Sequence, residues 1–410
     1  MGNKFRFLHC ADLHIGSAFT GLSRRIPQLD SFLPQTPFLA WHNIVDTAIA
    51  GKVDFLLIAG DCFDRSAPSL QGRLEFKKGL ERLKHAQIPV YVCSGNHDPW
   101  PQAWSTAVTL PENVHFFQPG EVKCHTIFKN AEAVATVAGI GHGSLNDLEN
   151  LAVKTGRALE NAPGMHIACV HANLCGDPHA APADLRELIG LPVDYWALGH
   201  VHSRRVLHEK PYIVYSGSPQ GKDINEPGTQ GCYIVDCDGF GGVEMRFHPT
   251  SVLEFQTVEV NINACANMEE LLRKTVEETA PYKAERELLI RLKFTGITEL
   301  DSELRFFNAG ELHEMIREKL ERELPGTYLE EIILLTRTPL PPATAMVRAA
   351  ELDAAEKEIA EEEILENIYS EMRTVFRELP LIRNERFEEL RKEGSALLAE
   401  MLTLPHGGKR

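Results

Sequence analysis

Five short apolar runs in this chain each lead into side chains that bind metal ions, and nothing else in the sequence restricts the fold as tightly. The runs cover residues 5–9, 55–59, 90–94, 167–170 and 195–198, and their β-branched and aromatic content predicts buried strands. Behind them stand Asp12-Leu13-His14, Gly60-Asp61-Cys62-Phe63-Asp64, Gly95-Asn96-His97-Asp98, His171 and Gly199-His200-Val201-His202. Ligands gathered at the carboxyl ends of strands line a crevice. An α/β domain is therefore expected over residues 1–250, with strand-like and helix-like runs alternating. Within it, residues 69–85 carry Leu70, Leu74, Phe76, Leu80 and Leu83 at helical spacing, and 215–221 reads as a Gly- and Pro-rich loop.

The residue types suit two ions rather than one. Side chains of an extended chain alternate, so Asp12 and His14 can grip one ion together, and His200 and His202 repeat the pattern. Asp61 has two carboxylate oxygens and can bridge. Asn96 adds a neutral oxygen and His171 a nitrogen. The seven divide as Asp12, His14, Asp61 and His202 on one ion, and Asp61, Asn96, His171 and His200 on the other. Ions about 3.5–4 Å apart at such a site clamp the attacking and leaving oxygens of an in-line displacement at phosphorus, and they activate water near neutral pH. Carboxylate, amide and imidazole donors without thiolate favour Mn²⁺ or another borderline-hard ion. His97 is left outside the set as the candidate to protonate the leaving oxygen or steady charge on phosphate. Asp64 is placed to accept its ring N–H. Any one of these clusters could be packing or surface chemistry; five in order are hard to assign to chance. His9, His42, His85, His115, His125 and His166 read as packing or surface histidines, while His142 and His179 remain candidates to approach the crevice.

At 410 residues the chain exceeds one ordinary core. From residue 255 a strand, helix, strand, helix, strand pattern restarts, with Val258, Val260 and Ile262, then Leu288, Ile290, Leu292 and Phe294, alternating with polar neighbours. Asn267 with Glu270, and Asn308 with Glu311, mark capping boxes at two helix starts. A last strand is expected over 329–336, and Pro339, Pro341 and Pro342 close a domain spanning 251–340. Residues 341–410 are helical in pattern: Leu365, Ile368, Met372, Val375 and Leu379 form one apolar stripe. The net charge of −16 lies mostly beyond residue 250, so a polyanionic substrate of the first domain is not excluded. Nine cysteines without framework spacing read as reduced thiols. No run of about 18 apolar residues and no cationic leader suggest a cytoplasmic, membrane-free protein.

The five clusters resemble the motifs of the calcineurin-like metallophosphoesterases. The wording His9-Cys10-Ala11-Asp12-Leu13-His14 with Gly60-Asp61-Cys62-Phe63-Asp64 is similar to the SbcD branch of DNA repair nucleases, and Gly217-Ser218-Pro219-Gln220-Gly221 with Glu226-Pro227-Gly228 and Gly231-Cys232 resembles the YhaO-type subgroup. The similarity is strong over 5–235 and architectural beyond. It implies a four-layer αββα sandwich, a small α/β capping domain, manganese-dependent cleavage of DNA phosphodiesters, and a helical tail that docks on the coiled-coil base of an SMC-like ATPase (SbcC/YhaN-type). Several relatives carry histidine where this chain has Asp64, a departure that touches end positioning rather than chemistry. Relatives also dimerise through helices of this domain; here 69–85 and 100–110 are the candidates, with Trp100 and Trp104 expected to be exposed unless they lie in such a contact.

Two other functions compete. A small-molecule phosphodiesterase or a phosphatase can use the same fold and metals, although neither needs a capping domain or an acidic tail. A non-catalytic scaffold would have lost a ligand, and none is lost here.

Overall fold

A computed structural model describes residues 3–339 apart from 18, 65–67, 102, 105–107, 175–180, 264 and 308. The tail stripe Leu365, Ile368, Met372, Val375 and Leu379, the capping box at Asn308, and His179 lie outside the described residues.

The strands are β1 (Phe5–Cys10), β2 (Phe55–Ala59), β3 (Val90–Cys93), β4 (Val114–Phe117), β5 (Lys123–Lys129), β6 (Glu132–Ile140), β7 (Met165–His171), β8 (Tyr195–Gly199), β9 (Arg205–Glu209), β10 (Tyr212–Tyr215), β11 (Gly231–Cys237) and β12 (Val243–Pro249). They form two six-stranded sheets, ordered β12-β11-β1-β2-β3-β4 and β5-β6-β7-β8-β10-β9. β1 to β4 run parallel in one, and β6, β7, β8 and β10 run parallel in the other. Continuous apolar runs fit this placement, because strands at the centre of a parallel sheet are covered on both faces.

Three packed layers of side chains hold the sandwich. Between the sheets, Phe7, Phe55, Leu57 and Tyr91 meet Val137, Ile167, Cys169, Tyr195 and Val214. Outside the first sheet, Leu8, Leu56, Ile58, Val90 and Val92 pack under α2 (Thr36–Ala50) and α3 (Leu70–His85), where Trp41 and Phe76 are fully buried; α1 (Thr20–Arg25) precedes them. Outside the second sheet, Ala168, Val170, Trp196 and Leu198 pack with Leu151 and Leu188 of α4 (Leu151–Arg157) and α5 (Leu185–Ile189). The result is the expected helix, sheet, sheet, helix layering. Ser69 caps α3, its side chain accepting the Gly72 amide at 3.1 Å.

Trp100 and Trp104 depart from expectation. Trp104 is only 9% exposed, its Nε1 donates to the Asp98 carbonyl at 2.8 Å, and its ring packs edge-on against Phe63 and Phe76 and tilted against Phe116. Trp100 lies half-buried against Phe116. Both rings close the chain's own core, because the chain folds back over β3 and β4. Within α3, Leu70 and Leu74 are exposed, at 61% and 43%.

Further strands β13 (Leu253–Asn261), β14 (Glu287–Ile297) and β15 (Thr327–Arg337) form a three-stranded sheet in that order, with α6 (Met268–Thr279), α7 (Asp301–Phe306) and α8 (Ala309–Glu323) in the connections. At the start of α6, Asn267 Oδ1 accepts the Glu270 amide and Glu270 accepts the Ala266 amide, a capping box reaching one residue further back than the usual pattern. Contacts divide the chain into two compact units: Met1–Val258 with Thr279–Arg291 and Leu320–Glu331, and Glu259–Glu278 with Leu292–Lys319 and the described residues from Ile332. Among the described residues, no helix is long and apolar enough to cross a membrane.

Candidate metal centre

Parallel strands in register end at one level, and this brings the ligand loops together. The β1 and β2 ladder continues past both strand ends: the amides of Asp12, His14 and Ile15 donate to the carbonyls of Gly60, Asp61 and Cys62 at 3.1, 3.0 and 2.9 Å. β7 and β8 pair through His171 and Gly199. The two sheets approach closely here. A Cβ added to Gly199 would lie 1.8 Å from the Ala59 carbonyl oxygen of the other sheet, and within the first sheet one added to Gly95 would lie 2.1 Å from Asp61 Oδ1. Asp98 stitches the loops after β2 and β3, accepting the amides of Gly95, Cys62 and Phe63 at 2.6, 2.8 and 3.3 Å.

Alternation along an extended chain is not what aims the ligands. Asp12, His14, Asp61 and His200 have φ of +53°, +44°, +49° and +104°, and Asp12 and His14 lie beyond the end of β1. Tight left-handed turns at the strand ends do the aiming.

All seven predicted ligands meet. His14 Nε2 and His202 Nε2 lie 2.9 Å apart. Asn96 Oδ1 lies 2.9 Å from His171 Nε2 and 3.2 Å from His200 Nδ1. Asp61 Oδ2 stands between the two groups, 3.8 Å from His14 Nε2 and 3.5 Å from His171 Nε2, as a bridging carboxylate requires. Its Oδ1 accepts the His97 amide at 2.9 Å. The Asp12 carboxylate accepts the His200 amide across the sheets at 3.0 and 3.2 Å. Ligand atoms of Asp12, His14 and His202 fall within 4.8 Å of one another, as do those of Asp12, Asp61 and His171, so Asp12 lies near both groups.

The donor set fits divalent cations. His171 Nδ1 lies 3.0 Å from the Ala59 carbonyl oxygen, which can only accept, so its Nε2 lone pair faces another acceptor, Asn96 Oδ1. His202 commits Nδ1 to the Glu226 carboxylate in the same way, His14 Nδ1 lies 3.0 Å from the Asp64 carboxylate, and the two Nε2 atoms face each other. A proton or a cation must lie between groups so arranged. Burial pushes His14 down to about 4 against the pull of Asp64, and His171 down to about 3 against the pull of Asp61, so both rings are neutral donors near pH 7. Burial pushes Asp12 up to about 7; His202 opposes the rise and Asp61 adds to it. On Asp61 burial also acts upward, but His171, His14 and His97 outweigh it and hold the carboxyl at about 2. Paired anions this deep are satisfied by bound cations.

The remaining residues sort themselves around this centre. His97 has an exposed ring, perpendicular to His14 at 5.2 Å between centroids. Asp64 does not hold the His97 ring N–H as expected. Its Oδ1 lies 3.0 Å from His14 Nδ1 and 3.3 Å from Lys222 Nζ, since the turn after β2 points it toward the β1 loop. Burial raises the Asp64 carboxyl, but His14 and Lys222 more than offset that and hold it well below the carboxylate range. Glu226, unmarked as a functional residue by any sequence spacing, accepts His202 Nδ1 at 2.5 Å; only its place in a Gly- and Pro-rich loop stood out. His142 is buried behind the crevice with Nε2 2.8 Å from the His171 carbonyl oxygen. His9 is buried beside Tyr195, and His42 pairs with Glu75. All eight described cysteines carry free thiols, and burial pushes Cys62 and Cys93 well above the usual range.

Two stacked six-stranded sheets carrying such a centre define a metallophosphoesterase. Residues 5–204 match the calcineurin-like phosphoesterase family, and residues 255–337 match the middle domain of the metallophosphoesterase YhaO. The chain belongs to the calcineurin-like metallophosphoesterases, a family that uses divalent metals. It is 34% identical to the metallophosphoesterase YhaO of Bacillus subtilis over 278 residues, 67% of each chain. It is 25% identical to the DNA double-strand break repair protein Mre11 of Thermoplasma acidophilum, over 53% of this chain and 57% of that one. With the D component of the nuclease SbcCD from Escherichia coli K12 it shares 26% identity, over 54% of this chain and 62% of that one.

Proposed function

We propose that the chain is a two-metal phosphodiesterase acting on DNA inside the cell, as the nuclease subunit of a repair complex with an SMC-like coiled-coil ATPase. One observation carries the hydrolytic part: a complete seven-residue donor set divides into two groups around a single oxygen of Asp61. The DNA part is supported by the relatives named for double-strand break repair and for nuclease activity. The resemblance to those nucleases favours Mn²⁺ as the ion.

Two divalent ions at such positions activate water and neutralise charge on an attacked phosphodiester. The chain supplies everything around them. Asp12, His14, Asp61 and His202 hold one position, and Asp61, Asn96, His171 and His200 the other. His97, at the rim, delivers a proton to the leaving oxygen, while its amide anchors Asp61. Asp64 acts through His14. A dimer through α3, whose Leu70 and Leu74 are exposed, and an ATPase contact through Leu365, Ile368, Met372, Val375 and Leu379 complete the reading.

The test runs linear duplex DNA, hairpin DNA and a chromogenic phosphodiester in parallel, in Mn²⁺ and in chelator. Metal-dependent DNA cleavage is expected, weak and salt-sensitive for the chain alone. Asp61→Asn loses ion binding and activity together; His97→Asn keeps both ions and slows cleavage about 10²–10⁴-fold. Hydrolysis of phosphoserine or a cyclic nucleotide without DNA cleavage would instead establish a small-molecule phosphodiesterase or phosphatase.

A further inference from the structure

Three of the donor imidazoles, His14, His202 and His171, are backed by different chemistry. Behind His14 stands the Asp64 carboxylate, 3.0 Å from Nδ1, and behind His202 the Glu226 carboxylate, 2.5 Å from Nδ1. His171 is backed by a neutral carbonyl, that of Ala59, at 3.0 Å. Asp64 and Glu226 are also joined. Lys222 places Nζ 3.3 Å from Asp64 Oδ1, and its amide donates to Glu226 Oε2 at 2.9 Å. One residue therefore spans the loop after β2 and the loop between β10 and β11, and holds two anions together behind one pair of imidazoles. A carboxylate accepting the far N–H of an imidazole fixes the ring and strengthens the near nitrogen as a donor, more than a carbonyl does.

We propose that Lys222 is a positioning residue which, through Asp64 and Glu226, makes the position formed by Asp12, His14, Asp61 and His202 the tighter of the two and the first to fill. The position formed by Asp61, Asn96, His171 and His200 then takes a second, exchangeable ion. Formal charge runs the same way. The first position has Asp12 in addition to the shared Asp61; the second adds only neutral donors. Asp12 also approaches His171, but at 3.9 Å from Nδ1, the nitrogen already committed to Ala59.

This inference rests on the two-metal reading, and one experiment separates the two. The full metal-free chain is titrated with MnCl₂ by calorimetry, with electron paramagnetic resonance reporting ion pairing and circular dichroism reporting fold. The native chain is expected to take up two ions with separable affinities, and Asn96→Ala to lose only the weaker. Lys222→Met and Glu226→Gln should each weaken the tighter site about 10–100-fold while leaving the weaker within about threefold, and Lys222→Arg should restore it. A single ion bound by the native chain overturns the two-metal reading and the order of filling with it. Two ions whose affinities ignore both Lys222→Met and Glu226→Gln overturn the clamp alone. Should Glu226→Gln not fold, Lys222→Met decides, its side chain being partly exposed.

Discussion

Asp12, His14, Asp61 and His200 hold left-handed backbone that L-residues other than Asn and Asp seldom adopt, at a cost on the order of 1–3 kcal/mol each. The ladder bonds between the β1 and β2 loops and the carboxylate of Asp98 offset it. Gly95 is where this crowding leaves no room: a Cβ there would meet Asp61 Oδ1, its amide nitrogen and its carboxyl carbon. Gly95→Ala should therefore displace Asp61 and abolish binding of both ions while the far-UV spectrum stays native; calorimetric Mn²⁺ titration checks it. His9 supplies a pH dependence clear of the ligands. It is fully buried beside Tyr195, and burial pushes its ring from an ordinary 6.5 down to about 3. The unfolded chain thus binds one more proton between those values, so stability is complete above about pH 6.5 and is lost as pH falls toward 3. His9→Gln, which cannot take up that proton, should flatten the decline in melting temperature of the metal-free chain between pH 6.5 and 4. An unchanged slope would refute the assignment.

Among the elements, the strands matter less for their length than for where they stop. β1, β2 and β3 are in register at Cys10, Ile58 and Val92, so three successive loops leave the sheet side by side and the ligands need not reach. α3 braces this end from outside, and Ser69 starts it by satisfying the Gly72 amide. Ser69→Ala should cost about 1 kcal/mol of stability, read from denaturant melts, without altering Mn²⁺ stoichiometry. The helix exposes Leu70 and Leu74 while burying Phe76, Leu80 and Leu83, so its apolar stripe is wider than the core needs.

For the whole molecule, the division of labour proposed here assigns chemistry to the sandwich and association to the tail. In the sequence the stripe Leu365, Ile368, Met372, Val375 and Leu379 follows a proline-rich stop, and apolar residues at that spacing suit a groove on a coiled coil. A chain ending at Pro342 should keep both ions and its basal DNA cleavage, yet lose association with the coiled-coil ATPase and ATP-dependent processing. Pull-down with the two chain lengths measures this, and equal capture of both would sink the assignment.

The five ligand-bearing strands, the αββα layering and the seven donor side chains that meet at the strand ends were legible in the sequence, because buried parallel strands are apolar throughout and metal donors come from a short menu of side chains. Even the end of α3 and the capping at Asn267 followed from local chemistry. How the ligands are aimed was not legible. Positive φ at Asp12, His14, Asp61 and His200 is set by the meeting of two sheets, and no local spacing encodes it. The same holds for Asp64, which turned from His97 to His14, and for Trp104, which turned from surface to core. Lys222 and Glu226 became part of the centre only because the chain returns to it after β10, more than 150 residues beyond Asp64. Local propensity writes the elements, whereas contacts between distant segments decide which nitrogen each carboxylate holds.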